Sequence, residues 1–309
     1  MTEENGAVDG DHYDVVVIGG GPAGSAAAVF TGRYGLDTLV LDRGRSSLQR
    51  VAHLENYLGF PAGIDIETFY ELLHAQVERA GCTVRDDSAE SVELTADGFR
   101  TETADTRSFE SDYVVAASKY DHEYLRGIDD EALFTAEQYQ GDTYTTIDTT
   151  VVDRGRTPVS GLYLAGRLAQ DRAQVQLHTG HGVEVAHSLI TDRRRERGFP
   201  KELATAYCDW AVVEGGYGGD NWETELRDRF DDTLPDEPSL SEERIARLRE
   251  KWVSERLDWQ LTPEERDRRR TEGQRALAQQ LDDEVLLESV DDELIRDYAA
   301  DFDASEVSE

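Results

Sequence analysis

The hydrophobic pattern of this chain changes character about two thirds of the way along. Up to about residue 190 it consists of short apolar runs bounded by glycine and of helical stripes. Tyr13–Ile18 (YDVVVI) is a β-branched, nearly continuous apolar run, the pattern of a strand buried on both faces of a parallel sheet. It leads straight into Gly19-Gly20-Gly21-Pro22-Ala23-Gly24, and the small residues Ser25–Ala28 followed by Val29-Phe30 predict a helix. Leu36–Leu41 (LDTLVL) predicts the next strand, ending at Asp42, which completes one βαβ unit. A helix is expected over about 66–80, with Ile66, Phe69, Leu72, Leu73 and Val77 on one face and Gly81 as its stop. Cys82-Thr83-Val84 reads as a third parallel strand. Over 88–111 the pattern alternates around an Asp97-Gly98 turn, which predicts an antiparallel meander. Tyr113–Ala117 and Gly161–Gly166 predict two more buried strands, and a helix is expected over about 178–190.

Beyond about Arg193 the sequence becomes charged and helical. All four Trp residues (Trp210, Trp222, Trp252 and Trp259) lie there. Ile245, Leu248, Trp252 and Val253 form a helical stripe, and Thr262-Pro263-Glu264-Glu265 carries the chemistry of a helix start. Gly215–Gly219 reads as a flexible connection. No internal repeat is visible. These patterns divide the chain into 1–192, an α/β unit with a parallel sheet and a meander, and 193–309, a mostly helical extension.

Charge alters this picture more than length does. Among 309 residues, 32 Lys and Arg face 66 Asp and Glu, a formal net charge of −34. Nucleic-acid backbones and anionic membranes would be repelled, so neither is an expected partner. With 13 Tyr, 9 Phe and 4 Trp, the chain is too aromatic for general disorder. No apolar run approaches a membrane span, and the acidic start lacks the basic segment of a signal peptide. A cytoplasmic location is therefore expected. Only Lys119, Lys201 and Lys251 are lysines; the remaining 29 basic residues are Arg. Molar salt shortens the Debye length to ~3 Å and removes most self-repulsion. The composition thus reads as adaptation to a high-salt cytoplasm. Cys82 and Cys208 form neither a CxxC pair nor a zinc signature and read as packed side chains. No metal site is expected.

The candidate chemistry lies in the glycine run. A lone GxGxxG is weak, but here a buried strand precedes it, a helix follows it, and Asp42 stands 21 positions after Gly21. In such a unit Gly19 permits the tight turn, Gly21 lets the backbone approach a pyrophosphate, and Gly24 lets helix and strand pack closely. The helix N-terminus supplies free amides for the phosphates, and Asp42 can accept from ribose hydroxyls.

VVVIGGGPAGSAAA, LENYLGFPAGID (54–65), YVVAAS and GLYLAGRLAQDRAQVQLHTGHGVEVAHSLI (161–190) together resemble the FAD domain of thioredoxin-reductase-like flavoproteins. The resemblance covers about the first 190 residues and implies a Rossmann-like three-layer fold with FAD as the nucleotide. It further implies that Gly19, Gly21, Pro22, Ala23 and Gly24 hold the pyrophosphate, with Asp42 and Arg43 at the adenosine ribose. Val84 would offer its backbone to adenine, Asn56 would lie near the flavin, and Ala117 would line the nucleotide. Gly166, Arg167, Gln174 and Val175 would approach the ribityl chain and the pyrimidine edge of the ring.

The sequence also departs from that family. Such reductases insert an NADPH domain between the strands ending near Ser118 and starting at Gly161; here the interval is 42 residues without a glycine fingerprint. The NADPH domain is therefore expected to be missing, since even one βαβ unit takes ~30 residues. There is no CxxC. Arg167 stands where the family carries an Asp, Ala173-Gln174 where it carries Arg-Gln, and the loop between Asp42 and Glu55 is short.

His178 and His181 open the helix that, by resemblance, points at the flavin N1–O2 edge. His178 is the candidate proton donor or substrate contact; the plainer alternative makes both partly buried, hydrogen-bonded histidines. His53, His122 and His187 have no supporting context. The runs Arg193–Arg195 and Arg268–Arg270 read as solvated faces paired with acids. Two functions from different classes remain. One is a flavin-dependent oxidoreductase whose donor or acceptor, a small molecule or a protein, reaches the ring directly, with the extension covering the vacated space; a homodimer is compatible with it. The other is a nucleotide-binding scaffold, sensor or subunit without turnover. An NAD enzyme is a weaker third, since Asp42 suits NAD as well.

Overall fold

In the computed structural model, residues 11–44, 46–119, 122–128, 132–139, 142–170, 174–207, 209–213, 221–234 and 240–306 are described. The expectations for Cys208, Ala173 and Gly215–Gly219 fall outside them. In chain order the strands are β1 (His12–Ile18), β2 (Thr38–Leu41), β3 (Thr83–Arg85), β4 (Ala89–Leu94), β5 (Phe99–Thr103), β6 (Ser108–Ala116), β7 (Phe134–Tyr139), β8 (Asp142–Ile147) and β9 (Leu162–Leu164). Seven of them form one sheet, ordered β3-β2-β1-β6-β5-β4, with β9 also paired to β6. The β1, β2, β3, β6 and β9 pairings are parallel, and β4-β5-β6 is the antiparallel meander. β6 serves two partners along one edge: its first half pairs with β5, and Val114–Ala116 pair with β9.

The apolar run in β1 is buried on both faces, as its pattern required. Val15 and Val17 face α1 (Pro22–Arg33) and α3 (Val175–Glu196), joining Ala27, Ala28, Val185 and Leu189. Val16 and Ile18 face the other way, into a core with Leu39, Leu41, Phe99 and Phe109. α2 (Ile66–Arg79) is capped by Asp65, whose side chain accepts from Thr68 N at 2.9 Å. It stops where expected, at Gly81 with φ +89°.

Among the described residues, the 118–161 interval holds a short 3-10 turn (Glu123–Gly127), the β7-β8 hairpin and a second turn (Thr149–Val151). Tyr124, Leu125, Ile128, Leu133 and Ile147 from this interval complete the core beneath the meander. It is a cover for the sheet, built without a βαβ unit in its described part.

The C-terminal region comprises α4 (Lys201–Ala204), α5 (Trp222–Asp231), α6 (Glu242–Leu257), α7 (Pro263–Ala278), α8 (Asp283–Glu288) and α9 (Asp292–Glu306). Phe199, Leu203, Phe230, Leu248 and Trp252 give it a small core of its own. α3 runs unbroken past the compositional break at 192/193 and ends at Glu196. The reading of Arg193–Arg195 as a solvated face is corrected. Arg194 is buried, donating to Ala206 O and Glu255, and Arg193 pairs with Asp14. Docking this end of α3 against both neighbours takes those guanidiniums out of water. Arg268 and Arg269 do lie exposed, paired with Glu265. No helix among the described residues is long and apolar enough to cross a membrane, and no His/Cys/Asp/Glu group there could hold a metal.

Candidate cofactor-binding site

The glycine run forms a turn in which each glycine answers a different constraint. Gly19 has φ +109° and donates to Leu41 O at 2.8 Å, tying the turn to the end of β2. A Cβ on Gly24 would sit 1.9 Å from Gly19 O, so only glycine lets α1 start this close to β1. A Cβ on Gly20 would sit 2.7 Å from Asp42 Cβ. Gly21 differs: its nearest obstacle would be the Tyr70 hydroxyl at 3.6 Å, and its outer side opens onto a cavity.

That cavity has a volume of about 480 Å³, within the ~300–1,000 Å³ of small-molecule sites. Its wall contains Gly19, Gly21, Pro22, Ala23, Asp42, Arg43, Ala117, Gly166, Arg167, Val175 and His178. Most of the candidates named from the sequence are thus brought together. Four are placed elsewhere. Gly24 lies beneath the turn as a packing residue. Val84 pairs with Val40 inside the sheet, and Asp87, Ser88 and Ala89 stand at the wall instead. Asn56 is exposed, donating to Gln174 Oε1 at 3.2 Å, and so both residues are spent on each other outside the cavity. Tyr57 and Leu58 continue that seam with bonds to Thr179 and Gln176, pinning the 54–65 segment to the first turns of α3.

Sequence reasoning missed Ser46, Ser47, Leu48, Ser118, Lys119 and Tyr124, which also line the cavity. Lys119 donates to Ser47 Oγ and Tyr124 shares a 2.7 Å bond with Ser118. Only Lys119, one of three lysines in an acidic chain, carried a compositional signal.

α1 and α3 both begin at this cavity, and their contact is unusually close. A Cβ on Gly182 would sit 2.1 Å from Ala23 O, and one on Gly166 2.7 Å from Ala23 Cβ. Neither helix has a side-chain cap or an acid in its first turn. Every other described helix has an acid there. In a protein of net charge −34, two adjacent N-termini have been kept clear of negative charge. Their unused amides and dipoles leave the site ready for anions.

His181 sits beneath the second of these termini. It is buried, accepts from Gly166 N at 3.0 Å, and burial pushes its pKa below the ordinary histidine value. His178 is half-buried at the wall. Cys82, the cysteine among the described residues, is buried beside Ala28 O, and burial pushes its thiol up to about 11. It is a packed side chain, as its lone position in the sequence suggested.

The helical extension is not at the cavity, whose wall runs from Ile18 to His178. It docks at the opposite ends of α1 and α3. Arg33 and Tyr34 bond Asp209, Arg33 stacks over Trp259, and Arg194 meets Glu255. At ~1.5 Å per residue, the 12 residues of α1 and 22 of α3 put it roughly 18–33 Å from the N-termini. The expectation that it covers the space beside the nucleotide is therefore corrected.

Residues 13–120, the strand–glycine–helix unit and the meander, match the family profile of pyridine nucleotide-disulphide oxidoreductases. Over this region the chain is thioredoxin-reductase-like. It is 32% identical over 123 residues to thioredoxin reductase of Listeria monocytogenes, covering 39% of this chain and 38% of that protein. Identity to the Aquifex aeolicus thioredoxin reductase is 32% over 108 residues, 34% of this chain and 33% of the relative. The chain thus spans little more than a third of the length of these relatives. A thioredoxin reductase structure from Gloeobacter violaceus aligns with 65% of this chain and 98% of its own, at 16% identity and a TM-score of 0.49. This family and these relatives are FAD-binding flavoproteins. The thioredoxin-reductase-like site fits such a group: the open face of Gly21, the acid at the end of β2 and the two acid-free helix starts lie around one cavity.

Proposed function

We propose that this chain binds FAD in the cavity and works as a flavin-dependent oxidoreductase. The observation that carries the reading is the pair of uncapped, acid-free helix N-termini meeting there. A dinucleotide cofactor has a diphosphate and, at its flavin end, a ring that gains negative charge on reduction, so it can use both. Gly19, Gly21, Pro22 and Ala23 would hold the diphosphate, with Asp42 and Arg43 at the ribose. Ala117, Gly166, Arg167 and Val175 would line the flavin half. Bound there, FAD supplies reversible hydride and electron transfer.

The protein's own part is to orient and tune. The α3 N-terminus and Arg167 favour negative charge at their end of the cavity. His178 is the titratable group at the same wall, with Nδ1 close to Gly166. It is suited to hold a proton on that nitrogen. The described part of the 118–161 interval is sheet cover, and the sequence has no CxxC. The reading therefore gives the flavin a donor, small molecule or protein, that arrives from solution, in a high-salt cytoplasm.

Binding without turnover is the second reading, favoured by Arg167 in the wall where the resemblance implies an acid. The absorption spectrum of the purified protein is the test. A yellow chromophore that NADPH or a dithiol bleaches under anaerobic conditions supports the oxidoreductase. Colour that no donor bleaches favours the scaffold. A colourless protein that takes up no added FAD overturns both.

A further inference from the structure

Behind the glycine turn, on the side away from the cavity's open face, His74 of α2 bridges two parts of the site. Its Nε2 lies 3.0 Å from Gly20 O and 3.2 Å from Asp42 Oδ2. The other carboxylate oxygen, Oδ1, accepts from Gly44 N at 3.2 Å. Asp42 is thus held at both oxygens and wedged against Gly20, where a Cβ would be 2.7 Å away. Each carboxylate oxygen still has a lone pair for a ribose hydroxyl.

We propose that His74 is a positioning residue for the adenosine-diphosphate half of the nucleotide, fixing the Asp42 carboxylate to the glycine turn and placing a titratable positive charge behind both. The inference rests on the dinucleotide reading above and deepens it.

The chemistry follows from what faces the ring. Gly20 O and Asp42 Oδ2 are both acceptors, so Nε2 carries a proton whether the imidazole is neutral or charged. Titration therefore occurs at Nδ1 and leaves the bridge intact while changing its charge. The titratable groups around the ring are Asp42 from the end of β2 and, from α2 itself, Glu78 and the phenol of Tyr70, stacked edge-on at 5.9 Å. The Asp42 hydrogen bond raises the His74 pKa, assisted by Gly20 O and Glu78 and opposed by burial. A bound diphosphate adds negative charge nearby and raises it further. By linkage the nucleotide binds more tightly as pH falls from the complexed to the free pKa of His74, and affinity levels off on either side.

ADP-ribose is the probe, because its diphosphate is esterified at both ends and does not titrate in this range. It reads the adenosine end alone, leaving Arg167 and the flavin end out of the comparison. Calorimetry on the full chain at one salt concentration should show binding about three- to tenfold tighter at about pH 6 than at about pH 8.5, with proton uptake. His74→Gln keeps a donor without the charge. It should hold the pH 8.5 affinity within about twofold and lose most of the pH dependence, whereas His74→Ala should bind about tenfold more weakly at both values. His178 and His181 are present in every variant, so their contribution cancels in the difference. A His74→Gln variant with the parent's pH dependence overturns the proposal, as does a His74→Ala variant that binds like the parent. Should the variants not fold, the His74 ring resonance of the unaltered protein decides: its pKa must rise on adding ADP-ribose, and an unchanged pKa overturns the proposal. If ADP-ribose does not bind the parent at all, the dinucleotide reading fails and this inference with it.

Discussion

The Gly166 amide donates a 3.0 Å hydrogen bond to Nδ1 of His181, fifteen residues later, inside the contact between α1 and α3. An acceptor at Nδ1 means that this nitrogen is unprotonated, so His181 is the neutral Nε2–H tautomer. Its bond fixes the left-handed turn at Gly166, φ +66°, which carries Arg167 into the cavity wall.

Acid should therefore loosen this turn. Burial lowers the folded-state pKa of His181 below its ordinary 6.5, with the charge of His178 adding to it and Glu184 opposing. A depressed histidine binds fewer protons folded than unfolded. Its contribution to stability is complete above the unfolded pKa and is lost as pH falls below ~6.5 toward the folded value. His187, also depressed by burial, acts in the same direction, so a comparison is needed. His181→Asn keeps an acceptor near Nδ1 without titrating. Urea unfolding from about pH 7.5 down to 5.5 should show a shallower loss for His181→Asn than for the parent. His181→Ala, which orphans the Gly166 amide, should cost about 1–3 kcal/mol at pH 7.5.

Two glycines of α3, two residues apart, should respond to alanine with opposite signs. Gly182 touches the backbone of α1, where a Cβ would meet Ala23 O at 2.1 Å, while Gly180 has nothing within 4 Å. Gly182→Ala must push the helices apart and should destabilise by about 2 kcal/mol or more, as overpacking does. Gly180→Ala meets no obstacle and should stabilise by roughly 0.5–1 kcal/mol through helix propensity. Thermal melts of the two variants side by side check both. A destabilised Gly180→Ala would mean that its surface is in use.

How far the sequence could be read depended on the distance over which each signal acts. Tyr13–Ile18, the glycine run, Gly81 and Asp97-Gly98 encode their structure locally, and each folds as its pattern requires. The cavity's other walls come from Ser46–Leu48, Asp87–Ala89 and Lys119, which belong to no local motif and meet only through the order of strands. Val84 and Asn56 were implied by resemblance alone, and here they are spent on the sheet and on Gln174. His74 read as one polar position on an amphipathic helix. Its meaning depends on Asp42, 32 residues earlier, and no spacing rule links the two. The extension was placed by what the family would otherwise have there, whereas Arg33, Tyr34 and Arg194 hold it at the far helix ends.

Arg167 stands in the wall beside Gly166 and His178. A guanidinium donates and cannot accept, so it cannot take over an acid's bond to a ribityl hydroxyl; it can hold a phosphate or an anionic ring edge. Charge-assisted bonds of this kind contribute ~1.5–3 kcal/mol. Arg167→Ala should weaken FAD binding by about one to two decades. Fluorescence titration of the cofactor-free protein measures this directly, and an unchanged dissociation constant would give Arg167 a purely surface role.

Salt should stabilise this protein, although it also weakens the ion pairs on its surface. Pairs such as Arg268–Glu265 and Arg247–Glu243 are exposed, and each contributes about 0–1 kcal/mol that screening removes. Against them stands arithmetic that no geometry can change. With 66 acids and 32 Lys and Arg, one-to-one pairing leaves 34 acids over, and their mutual repulsion is screened by the same salt. Repulsion therefore outweighs pairing, and the midpoint of thermal unfolding should rise between dilute buffer and molar potassium chloride. The effect should be uneven along the chain. α8 and α9 begin with Asp283-Glu284 and Asp292-Glu293, and Val285, Leu287, Leu294 and Tyr298 remain exposed on them. Little apolar burial offsets the repulsion there, so amide exchange in α8 and α9 should slow more with added salt than exchange in β1 or α1. Equal slowing everywhere would locate the benefit of salt in the core. An unchanged midpoint would contradict the high-salt reading of the composition.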